Sequence, residues 1–137
     1  MIQEAQAKQL LDETFENFFK SVAPEEAIEV GKKKYAQLRI HRVEKTVRCG
    51  KNLYDQARES LTEKEVVLEE TAGSRLLLVT GSGLKRQNPA VVELEFDADS
   101  VTLTAWAKEG LIPQRTAQGA IKGMLELLGL AHRERPR

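Results

Sequence analysis

Eight basic residues crowd into one short stretch of the chain: Lys32, Lys33, Lys34, Arg39, Arg42, Lys45, Arg48 and Lys51. Cations at this density suit phosphate contacts, which gain their strength by releasing counterions. Read as a helix, the stretch sets Lys34, Arg42, Lys45 and Arg48 on one side, with His41 beside them. These four residues are the candidate basic binding face. The competing reading is a solvated outer face, paired with acids of the first helix or of a second subunit. Tyr35 is the only aromatic close to the stripe, so a platform for stacking single-stranded bases is missing.

Other chemistry-bearing residues do not group. His41 and Glu44 stand three apart, but a helical metal site needs several such ligands converging from different helices. The second histidine, His132, sits at the far end of the chain, and Cys49 is the only cysteine. No metal site is expected. Gly81-Ser82-Gly83 follows an expected strand, yet the arrangement of a Walker loop, two glycines five positions apart and then Lys and Ser or Thr, is missing, and Arg86 stands where the dinucleotide fingerprint needs a third glycine. That segment reads as a hairpin connection. No nucleophile–base pair has a local signature, so no catalytic residue and no cofactor is expected.

The charges balance, with 21 basic and 21 acidic residues, but they are segregated. Residues 1–30 carry a net −5 and residues 31–60 a net +6. The neutral total argues against a dedicated nucleic-acid binder. A lone cysteine fits a reducing compartment. The first residues lack the basic and apolar regions of a secretory signal, and no apolar run is long enough for a membrane span. A cytoplasmic location is expected, with no membrane partner.

The elements that position these residues follow from periodicity. Leu11, Phe15, Phe18 and Val22 share one side of a helix over roughly residues 2–22. Ala36, Ile40, Val43, Val47, Gly50, Tyr54, Ala57 and Leu61 then keep a four-three spacing, which predicts one long helix, or two nearly collinear ones, over residues 24–62. Together they form a helical hairpin over about residues 2–62. Residues 65–70 and 75–80 read as one β-hairpin, and 90–96 and 101–107 as another. Val101, Leu103, Ala105 and Ala107 share one face of the last strand, and Thr102, Thr104 and Trp106 the other. A helix over about residues 115–131 follows, stopped near Gly129, with a basic tail at 132–137.

The expected fold is therefore a single α+β domain of order α-α-β-β-β-β-α. Its four-stranded antiparallel meander spans about residues 65–108, and the C-terminal helix packs on the sheet. Leu11, Phe15, Phe18, Val43, Val47, Leu78, Leu94, Phe96, Leu103, Ile121 and Leu128 are the expected core. Trp106 faces away from the last helix, where either the helical hairpin or a protein partner covers it. The long helix offers more apolar positions than the first helix can bury. That mismatch makes Ala36, Ile40, Val43, Val47, Tyr54 and Leu61 the candidate association seam. The leading functional expectation is a non-enzymatic interaction or assembly module, its partner a second copy or another protein. Nucleic-acid binding through the basic face is the alternative, and small-molecule binding or catalysis ranks below both.

Overall fold

A computed structural model describes residues 2–22, 24–50, 53–64, 66–71, 73–80, 90–109 and 116–130. The Gly81-Ser82-Gly83 loop, the tail with His132, and the side chains of Phe18 and Val22 lie outside what is described. The elements run α1 (Glu4–Val22), α2 (Glu25–Ala36), β1 (Arg39–Arg48), α3 (Leu53–Lys64), β2 (Val66–Thr71), β3 (Arg75–Thr80), β4 (Ala90–Phe96), β5 (Ser100–Glu109) and α4 (Thr116–Leu127). The five strands form one antiparallel sheet in the order β1-β5-β4-β3-β2.

The α+β class, the N-terminal helices, the antiparallel meander and the C-terminal helix all match the sequence expectation. The long second helix does not. Residues 24–62 break into α2, the ten-residue strand β1 and α3. Periodicity misleads here because β1 has apolar partners on both sides. Val43 and Val47 join the cluster under α3 and α4, while Ile40 joins the cluster under α1 and α2. A spacing of three changes face in a strand, whereas a spacing of four keeps it. So four-three spacing is satisfied by a strand buried on two sides, just as by a helix buried on one. Chain length between β1 and β2 is taken up by α3, which carries the strand order from one edge of the sheet to the other.

Two apolar layers hold the sheet. On the first face, Tyr54, Ala57 and Leu61 of α3 and Ala117, Ile121, Met124 and Leu125 of α4 pack on Leu76, Leu78, Val92, Leu94, Leu103 and Ala105. Tyr54 meets the Phe96 ring edge-on at 5.4 Å. On the second face, Ile2, Ala7, Leu11 and Tyr35 cover Leu77, Val79, Val91 and Trp106. Each fully buried Leu contributes roughly 1.5–3 kcal/mol. The turns are built as the sequence suggests. Gly73 takes φ +79° between β2 and β3, where the Ser74 N–H donates to the Thr71 carbonyl at 3.0 Å. Gly129, at φ +75°, ends α4, and the Leu130 N–H reaches back to the Leu125 carbonyl at 2.7 Å.

These facts revise the association seam. Tyr54 and Leu61, the two residues that most needed a cover, are buried against the sheet of the same chain. Ala36 ends α2 and is exposed, while Ile40, Val43 and Val47 belong to a strand. No continuous helical seam exists, so the length mismatch between helices supplies no reason to dimerise. Trp106 is likewise covered from within, at 5% exposure beneath α1 and α2, and is not an open apolar contact for a partner.

Candidate interaction surface

The second face of the sheet is only half covered. Under α1 and α2 it is apolar, apart from Lys108. The Lys108 side chain is fully buried, and its ammonium donates to Asp12 Oδ1 at 2.7 Å and to the Tyr35 and Ala36 carbonyls at 3.0 and 3.3 Å. It also lies 4.8 Å from the centre of the Tyr35 ring, which stacks on Phe15. The two carbonyls belong to the last residues of α2, at the negative end of its dipole, and the Tyr35 carbonyl also accepts from the Leu38 N–H at 3.1 Å. Lys108 therefore ties β5 to both helices. Burial pulls its ammonium below the ordinary lysine value, more than the Asp12 carboxylate restores. Burial pushes the Asp12 carboxyl up, but the hydrogen bonds from Lys108 and Lys8 outweigh it and leave it below the ordinary value. Burial, aided by the Asp12 charge, raises the Tyr35 phenol.

Beyond the helices the same face turns polar. The register places Arg42, Glu44, Thr46 and Arg48 of β1 opposite Trp106, Thr104, Thr102 and Ser100 of β5. Glu93 and Glu95 of β4, Arg75 of β3 and Glu69 of β2 complete the row. At its centre Glu93 is fully buried. Its carboxylate accepts from Arg75 Nε at 2.5 Å and from the Ile2 backbone N–H at 3.2 Å. Arg75 also reaches Glu69 at 3.2 Å, and these carboxylates raise its guanidinium value, Glu93 most of all. Thr46 and Thr102 share a hydrogen bond of 2.9 Å across the strands. Nearer the edge, Arg42 pairs with Glu44 at 3.3 Å and sits 5.5 Å above the Trp106 ring.

The candidate basic face is dispersed by this geometry. Lys34 lies on α2, while Arg42, Lys45 and Arg48 lie on β1. Strand alternation sends Arg42 and Arg48 to the second face and Lys45 to the first. Outside the helices the face then exposes, wholly or in part, Arg42, Arg48 and Arg75 beside Glu44, Glu69 and Glu95, three cations against three carboxylates, with Glu93 buried among them. Part of the basic run does pair with α1, as expected: Lys32 reaches Glu16 at 3.4 Å. Sequence reasoning missed β1 as an edge strand, and with it the buried Lys108 and Glu93. The signal for β1 was present in its β-branched content, Ile40, Val43, Thr46 and Val47 within ten residues. Lys108 and Glu93 left no such signal, because their partners come from far along the chain.

Among the described residues no group of three or more His, Cys, Asp or Glu side chains is arranged to hold a metal ion. No helix among them is long and apolar enough to cross a membrane. Fold and surface together define a class: an antiparallel sheet between two helical layers, with β1 and β2 at its edges and a polar, partly exposed region beside β1. No family model, curated protein or solved structure matches the chain.

Proposed function

We propose that this protein is a non-enzymatic interaction or assembly module, and that it docks through β1 and the adjoining polar half-face. The observation that carries the reading is the position of β1. It is ten residues long, it forms an edge of the sheet, and among the described residues no strand pairs with its outer side. An edge of this kind presents unpaired backbone donors and acceptors, the basis of recognition by strand addition. Next to it, hydroxyls and charges of both signs offer directional contacts. A mixed-charge surface of this sort favours a protein over a phosphate backbone, since Glu44 and Glu95 interrupt any positive track.

Site-specific photo-crosslinking in cells tests the reading. A photoreactive residue replaces exposed His41 on β1, and a control replaces exposed Gln118 on α4. Protein adducts at position 41 and none at 118 are expected. Adducts at 41 that disappear with nuclease would instead favour nucleic acid. No adduct at 41 would remove β1 as the docking edge.

A further inference from the structure

We infer that the occupant of the β1 edge is the β1 edge of a second copy, paired antiparallel about a two-fold axis through Val43. This rests on the reading of β1 as a docking edge and goes further by fixing both partner and register. Backbone pairing admits few registers. In an antiparallel pair, residues directly opposite both point their N–H and C=O groups inward or both point them away. Two copies of one strand therefore pair even positions with even and odd with odd, and some residue lies on the axis.

The charges of β1 discriminate among these registers. An axis at residue 42, 44 or 45 sets Arg42, Glu44 or Lys45 against its own copy. Like charges directly opposite one another are destabilising. An axis at 41 or 46 leaves only 39–43 or 44–48 of β1 in the pairing. The axis at Val43 keeps residues 39–47 paired and avoids every clash between fixed charges. It also places Arg42 opposite Glu44 of the second copy, twice by symmetry. These two side chains lie on the same face, pair with each other within the chain and are each 40% exposed. Val43 is half-buried at the edge of the main core, and pairing on itself extends that core across the axis. The two-fold axis stands perpendicular to the sheet. Equivalent faces stay on the same side, the product is one ten-stranded sheet, and the interface closes on itself without leading to fibres.

The test is sedimentation equilibrium over a concentration series, for the wild type and a charge-swap set. A monomer–dimer equilibrium is expected for the wild type. Arg42→Glu alone and Glu44→Arg alone should each weaken it roughly tenfold or more, since both symmetric pairs become like-charged. The double variant Arg42→Glu with Glu44→Arg should recover it, because the pairs are restored with signs exchanged. Recovery cannot come from the Trp106 contact of Arg42, which the double variant also lacks. As an independent check, Val43→Cys in a Cys49→Ala background should form a disulfide-linked dimer on oxidation. Lys45→Cys should not, because its two copies stand about 13 Å apart along the strands. Should the buried Cys49 prove necessary for folding, the charge-swap set, which keeps it, decides alone. A monomer at all concentrations, or a dimer indifferent to the swaps, overturns the inference. Either outcome together with adducts to a different protein at position 41 would leave the docking edge standing and replace only the second copy.

Discussion

Asp12 and Lys108 hold each other across two layers of the molecule, and the two partners are not equivalent. Lys108 is fully buried, while Asp12 is one-third exposed and also bound by Lys8 at 3.0 Å. Removing the acid leaves a buried ammonium without the carboxylate that balances its charge. Asp12→Asn should therefore cost roughly 2–4 kcal/mol. Removing the lysine leaves a carboxylate that still has Lys8 and water, so Lys108→Met should cost about 1–2 kcal/mol, the smaller loss. Urea midpoints of the two variants check the order, and equal losses would contradict it. The same carboxylate makes stability depend on acid. Its folded-state value lies below its ordinary 3.8, so its contribution is complete above that pH and is lost as pH falls through the folded value. In thermal melts from pH 7 to pH 2, the lead of the wild type over Asp12→Asn should hold down to about pH 3.8 and shrink below it. A lead that stays constant would assign the stabilisation to something other than the charge.

On α4 two glycines stand where nothing requires them. Gly119 and Gly123 are exposed, and a methyl group added at either would meet no atom within 4 Å. Alanine favours a helix over glycine by about 1 kcal/mol. Gly119→Ala and Gly123→Ala should each raise stability by up to that amount, measured by thermal melting, with no change in the spectrum of the folded state. Elements such as α4 were legible in the sequence because one side of each faces a single layer. The apolar stripe Ala117, Ile121, Met124 and Leu125 repeats with the period of the helix that buries it. The faces of β5 were legible for the same reason, with Trp106 on the side away from α4. β1 was not, because Ile40 and Val43 are buried in different layers and their spacing imitates a helix. The candidate basic face was lost with it, since its geometry depended on the helical reading. The Tyr54 and Leu61 end of the supposed seam was correctly helical, but it met the sheet in place of another helix.

Across the whole molecule the two layers differ in weight. Among the described residues, twenty buried side chains make up the cluster under α3 and α4, and eight the cluster under α1 and α2. Local opening follows the layer with fewer buried contacts. The α1–α2 layer should therefore come away before the sheet unfolds. Trp106 is the only tryptophan, and that layer is what covers it. In a urea series its fluorescence should shift to the red at lower concentration than the far-ultraviolet circular dichroism of the whole chain is lost. Coincident transitions would mean that the two layers unfold as one.

The strand order also has a consequence for the growing chain. Among the described strands β1 pairs only with β5, and Arg48 meets Ser100 in that ladder. At roughly 5–20 residues per second, the ribosome takes about 3–10 s to travel from the first of these residues to the second. Throughout that interval β1 has left the site of synthesis with no partner strand to receive it. A long apolar strand kept waiting would invite aggregation with neighbouring nascent chains. This one carries Arg39, Arg42, Glu44, Lys45 and Arg48, charges that keep a strand soluble while its partner is still being translated. The earliest strand to emerge is thus the one best suited to the delay that its own place in the sheet imposes.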